Sequence, residues 1–201
     1  MTERIRTFVA IELPEAIQQG LARVQDQLKQ GRPPVRWVSP HQIHLTLHFL
    51  GEIPPEELPA VAEAARIAAS GALPFELEAA GVGAFPNLGR PRVVWVGLQG
   101  DMEALHRLQS RLTQELAARG FPPEDRPFSP HLTLGRVRPQ ARPQEARGLG
   151  QALAAMKPVL LGRWRVTEIR VIRSDLRPEG PLYTPLYLVP LGHAQALPDG
   201  A

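Results

Sequence analysis

The tetrapeptide His-Leu-Thr-Leu occurs twice, at residues 44–47 and 131–134. In an extended strand, residues two apart face the same way, with Cα atoms about 6.6–6.8 Å apart. His44 and Thr46 therefore share one face, as do His131 and Thr133, while Leu45, Leu47, Leu132 and Leu134 pack behind. Each motif pairs an imidazole with a hydroxyl donor on a rigid element. An unperturbed imidazole has a pKa of about 6.5, so one histidine can be a neutral base while the other is a charged acid. Set on opposite sides of a phosphorus centre, the two could activate an incoming oxygen and protonate the departing one in line. The threonine hydroxyls could donate to non-bridging phosphate oxygens, with a nearby arginine offsetting developing charge. This chemistry requires no metal and no cofactor.

The elements that must carry these motifs repeat. A strand over 7–13, with Phe8 and Ala10 alternating against Val9 and Ile11, leads into a helix over 15–30. A strand over 43–50, a helix over 56–69 and a strand over 74–80 follow. The order then recurs as a strand over 92–98, a helix over 102–119, a strand over 131–137, a helix over 142–156 and a strand over 163–172. Asp101 is the expected N-cap of the 102–119 helix, and Gly120 its C′ residue. Residues 182–190 read as one extra strand, where Pro185 implies an edge or a bulge. The chain thus reads as one bilobal domain, with β-α-β-α-β units at about 6–80 and 92–173. The fold class expected is α+β, with two pseudo-symmetric lobes. Each lobe would be an antiparallel sheet with two flanking helices, and the active-site cleft would lie between them.

Composition narrows the chemistry. The 201 residues contain no cysteine, which removes thiolate zinc sites, cysteine nucleophiles and redox pairs. The opening residues hold only a four-residue apolar run before Glu12, and no stretch approaches the ~20 apolar residues of a membrane span. A soluble, cytoplasmic protein without membrane contact is expected. Of the 23 basic residues only Lys29 and Lys157 are lysines, leaving 21 arginines. Arginine's planar fork suits phosphate, although a GC-rich genome or heat adaptation would give the same bias. No Walker motif or adenylation lysine is present.

Other residues invite weaker readings. His41, His44 and His48 could form a metal group on a helix, but on a strand His48 falls with His44 and His41 falls opposite. His48 is then expected to be solvated or to flank the cleft, and His106 and His193 to lie on the surface. Trp37, Trp95 and Trp164 read as core, Phe8 or Phe128 as possible stacking partners for a nucleobase. Arg163, Arg165, Arg170, Arg173 and Arg177 could extend a track for RNA.

The paired H-x-T-x motifs, with RTFVAIELP at the start, WVSPHQIHLTLHFLG and FSPHLTLGR around the histidines, and PRVVWVGL and GPLYTPLYLV beyond, resemble the two-histidine phosphoesterase superfamily. Within it the chain most resembles the bacterial and archaeal RNA 2′,3′-cyclic phosphodiesterases, also called 2′-5′ RNA ligases. The resemblance implies hydrolysis of an RNA 2′,3′-cyclic phosphate to a 2′-phosphomonoester. It implies His44 as proton donor to the leaving 3′ oxygen, His131 as base on water, and Thr46, Thr133 and Arg136 as substrate contacts. It also implies a reversible, ATP-independent 2′-5′ ligation and a place in tRNA processing with tRNA fragments as substrates; no protein partner is inferred, and a monomer is expected. Three other readings stay open: a cyclic phosphodiesterase acting on a small nucleotide or ADP-ribose cyclic phosphate, a non-catalytic RNA-binding module, and a metal phosphodiesterase built on His41, His44 and His48.

Overall fold

The computed structural model describes residues 4–177 and 180–192. Nine strands and four helices follow one another as β1 (Ile5–Glu12), α1 (Glu15–Lys29), β2 (Val35–Trp37), β3 (His44–Ile53), α2 (Leu58–Ser70), β4 (Phe75–Phe85), β5 (Val93–Gly100), α3 (Met102–Ala117), β6 (Leu132–Val137), α4 (Pro143–Ala154), β7 (Leu160–Val166), β8 (Glu168–Arg177) and β9 (Gly180–Pro190). Two antiparallel sheets result, one in the order β3-β1-β8-β9 and the other β2-β6-β5-β4-β7. Helix α2 lies against β8 and β9 and α3 against β3; α1 lies against β7 and α4 against β4. The chain is therefore α+β with two lobes, each a sheet flanked by two helices.

The sheets do not follow the two halves of the sequence. β1 and β3 of the first half share a sheet with β8 and β9 of the second, β1 pairing directly with β8; β5 and β6 of the second half share a sheet with β2 and β4 of the first, β5 pairing directly with β4. β4 from the first half and β8 from the second have each crossed into the other lobe's sheet, while β7 stays with β5 and β6. One core cluster consequently runs through both lobes, from Val9, Ile11 and Val171 to Leu77, Val96 and Leu132.

Several elements differ from their expected form. The single strand expected over 163–172 is two, β7 and β8, which separate at Thr167 and enter different sheets. Periodicity cannot detect that break, because the apolar pattern continues across it. β4 runs to Phe85, five residues beyond the strand expected over 74–80: Gly81 sits at a bulge with φ +73°, and a Cβ on Gly83 would lie 2.4 Å from the Trp95 ring. Asp101 makes no cap bond to α3; its carboxylate accepts the Glu76 N–H at 3.0 Å and ties α3 to β4. Gly120, at φ +88°, does close α3, with Phe121 N–H donating to the Leu116 carbonyl at 3.0 Å. β9 is an edge strand with a bulge beside Pro185, where a missing N–H is tolerated. Among the described residues no helix is long and apolar enough to cross a membrane. His193 lies outside them.

Candidate active site

Alternation fixes the two motifs. Leu45, Leu47, Leu132 and Leu134 are essentially fully buried, and burying each contributes about 1.5–3 kcal/mol. A one-residue slip would turn these leucines to solvent, so His44 with Thr46, and His131 with Thr133, are held half-buried on the opposite face. β3 and β6 touch each other, and all four side chains line one cavity of about 1460 Å³ between the sheets. Arg136 lines it too.

A bulge explains how Arg136 gets there. Strict alternation would place Gly135, not Arg136, beside His131 and Thr133. In β6 the pairing steps from Trp95–Thr133 to Val94–Gly135, so Leu134 is an extra residue and Arg136 turns to the cleft face. β3 has the same device: pairing steps from Ala10–Thr46 to Val9–His48, with Leu47 extra. His48 is thereby turned inward. It is 1 % exposed, with Nδ1 3.3 Å from the Thr113 hydroxyl, and neither flanks the cleft nor meets solvent as expected. His41 is exposed and its Nδ1 lies 2.9 Å from Gln18 Oε1. The three histidines face three environments and do not form one ligand set.

The catalytic candidates are held alike. His44 Nδ1 donates to the Gln42 carbonyl at 2.9 Å and His131 Nδ1 to the Ser129 carbonyl at 2.7 Å, each two residues back. A carbonyl oxygen can only accept, so Nδ1 carries the proton in both rings and Nε2 is left for proton exchange. The Phe8 ring stacks on His44 at 4.6 Å, and Tyr183 meets His44 edge-on at 5.2 Å. Phe85 packs edge-on against His131 at 4.9 Å. Gln42 also donates its side-chain amide to the Pro181 carbonyl, which ties the start of β9 to the His44 loop.

The electrostatics of the two rings differ. Burial lowers the His44 pKa below its ordinary 6.5, with the Gln42 carbonyl opposing. Burial also lowers His131; the Ser129 carbonyl opposes it, and the Arg136 guanidinium pushes the value further down. The cleft wall carries Arg6, Arg90, Arg92, Arg126 and Arg136 against a single carboxylate, Glu124, among the described residues. Glu124 accepts the Phe49 N–H at 3.0 Å. The wall is thus suited to a polyanion.

The expected arginine track lies elsewhere. Arg163 pairs with Glu78, Arg170 with Glu12 and Glu168, and Arg173 with Asp175; none of the five arginines over 163–177 lines the cleft. Phe8 is 3 % exposed with a face against His44, so it supports that ring and offers no platform to a base. Phe128 lines the cleft half-buried, edge-on to the exposed His106 at 5.6 Å. Sequence reading passed over Tyr183, Phe85 and Arg6. Only Arg6 left a usable signal there, standing two residues before Phe8 on the same strand face.

A family model described as "LigT like Phosphoesterase" matches residues 11–95 and again residues 96–183. An RNA 2′,3′-cyclic phosphodiesterase of Methanothermobacter thermautotrophicus is 36% identical over 90% of this chain and 96% of its own. One of Thermus thermophilus is 37% identical over 90% and 88%. A crystal structure of a Thermus thermophilus protein superposes with a TM-score of 0.77 at 35% identity, covering 94% of this chain and all of that one. The E. coli LigT structure complexed with 3′-AMP gives 0.75 at 29% identity, covering 95% and 100%.

Proposed function

The chain belongs to the LigT-like phosphoesterase family, and we propose on that footing that it hydrolyses RNA 2′,3′-cyclic phosphate ends to 2′-phosphomonoesters by acid–base catalysis between His44 and His131. The observation that carries this reading is the pair of H-x-T motifs lining one arginine-walled cavity, each imidazole fixed through Nδ1 with Nε2 left to exchange a proton. The cyclic phosphate sits between the rings, its non-bridging oxygens taking hydrogen bonds from Thr46, Thr133 and Arg136. His131 accepts a proton from water as its oxygen bonds to phosphorus. The P–O3′ bond breaks on the far side, and His44 gives its proton to the 3′ oxygen. The proton count balances, leaving a 2′-phosphate, a 3′-hydroxyl and an exchanged pair of histidines.

Two features support this division of roles. Arg136 lowers the pKa of His131 and so favours its neutral form, as a base requires. The Phe8 face stacked on His44 attracts an imidazolium, as an acid requires, and works against the burial that lowers the pKa of this ring. With a 5′-hydroxyl of RNA in place of water, the same site would make a 2′-5′ linkage, and run backwards would cleave one to cyclic phosphate and 5′-hydroxyl ends. Substrates of this class include tRNA fragments with cyclic ends, met by a monomer in the cytoplasm. The test is incubation with EDTA on an RNA oligomer ending in a 2′,3′-cyclic phosphate. The wild type should yield the 2′-phosphate, and His44→Ala and His131→Ala should each lose about 10²–10⁴-fold in rate. Product formed only with added metal would overturn the mechanism. Binding without turnover would make the protein an RNA-binding module.

A further inference from the structure

Arg136 has a counterpart in the other lobe that is not an arginine. With His44 laid on His131 and Thr46 on Thr133, the matching bulges bring Phe49 to the place of Arg136. The guanidinium of Arg6 lies over that phenyl ring, 4.5 Å from its centroid. Arg6 is half-buried, lines the cleft, and has no carboxylate partner among the described residues. A guanidinium held on an aromatic face keeps its N–H edge for an anion and is pre-oriented to take one.

Along β1, the strand position of Arg6 is set apart from those opposite the first His–Thr pair. Ala10 is the cross-strand partner of Thr46. From Ala10, β1 runs through Phe8 to Arg6 in two steps of about 6.6–6.8 Å each, along one face. Those steps carry the backbone of Arg6 away from the His–Thr pairs, and its guanidinium, over Phe49, stands on the cleft wall beside the path of a chain leaving them. We propose that Arg6 grips the phosphodiester 5′ to the cyclic phosphate, so that the cleft reads the last internucleotide linkage of an RNA end as well as its terminus. This inference rests on the phosphodiesterase reading of the cleft.

The test measures kcat/KM on adenosine 2′,3′-cyclic phosphate and on a diadenylate ending in the same group, for wild type, Arg6→Gln and Arg6→Lys. Replacing the charged guanidinium by a neutral amide in Arg6→Gln should lower the diadenylate-to-mononucleotide ratio about ten-fold, mainly through KM, and Lys should restore part of it. On the diadenylate, the slope of log(kcat/KM) against log salt should flatten by about 0.7 in Arg6→Gln. An uncharged methylphosphonate at the internal linkage should erase the difference between wild type and Arg6→Gln. Equal losses on both substrates would put Arg6 on the reacting phosphate and overturn the proposal. So would a ratio unchanged by Arg6→Gln. A wild type inert on both substrates would instead overturn the phosphodiesterase reading, and this inference with it.

Discussion

The two histidines are alike in backbone setting and unlike in neighbours, and their pH behaviour should show it. Both lie below the ordinary 6.5 in the open cleft, chiefly through burial. The bell-shaped profile of kcat/KM, which reports the free enzyme, should therefore peak on the acid side of 6.5. Arg136 acts on His131 as a positive neighbour that disfavours the imidazolium. Arg136→Gln should accordingly raise the pKa of the base, so the limb on which kcat/KM rises with pH should move to higher pH while activity falls. An unmoved limb would remove Arg136 from the electrostatics of His131. Tyr183→Leu takes away the edge-on ring beside His44; if the ring acts through His44, the loss should fall on kcat more than on KM. An effect confined to KM would place Tyr183 on the substrate.

At the scale of elements, the decisive feature is the bulge that follows each threonine. A Cβ on Gly135 would lie 2.5 Å from Val35 Cγ1 and 2.9 Å from the Arg36 carbonyl of β2. Gly135→Ala must therefore push β2 away or distort the bulge. It should cost about 1–3 kcal/mol in urea unfolding and reduce activity with it, because Arg136 is the next residue. Unchanged stability would mean that β2 yields freely. The motif strands themselves were legible in the sequence, because a two-residue period with leucines between fixes which face is which. The bulges were not, since a bulge changes pairing and leaves no mark in composition. Period alone therefore put His48 beside His44, where the structure buries it against Thr113. Arg136 came from the family resemblance, and only the bulge explains why the fifth residue after His131 reaches the cleft. Tyr183 and Phe85 come from strands that meet the histidines through tertiary pairing, which local pattern does not encode.

At the scale of the whole molecule, the crossing of β4 and β8 makes each sheet depend on both halves of the chain. The repeat was readable from the spacing of the two motifs, but the exchange was not, because strands of similar period fit either sheet. With one core cluster through both lobes, far- and near-ultraviolet circular dichroism should report a single coincident unfolding transition. Two separated transitions would show lobes that fold independently. Stability should also depend on acid. His44, His48 and His131 all have pKa values below 6.5 in the folded chain, so above that pH they are neutral whether folded or not. As pH falls, the unfolded chain takes up these protons first, and stability is lost through the depressed folded values. The urea midpoint should be lower at about pH 5.5 than at about pH 7.5.

The central claim is that two histidines from opposite lobes pass protons on either side of one phosphorus, and that neither becomes bonded to it. Stereochemistry at phosphorus tests this most directly. A 2′,3′-cyclic phosphorothioate of known configuration, opened by the protein in ¹⁸O-enriched water, gives a chiral 2′-thiophosphate. One in-line displacement by water inverts the configuration, and inversion is the result predicted. Retention would require two displacements through a phosphorylated histidine, and would contradict the acid–base roles of His44 and His131.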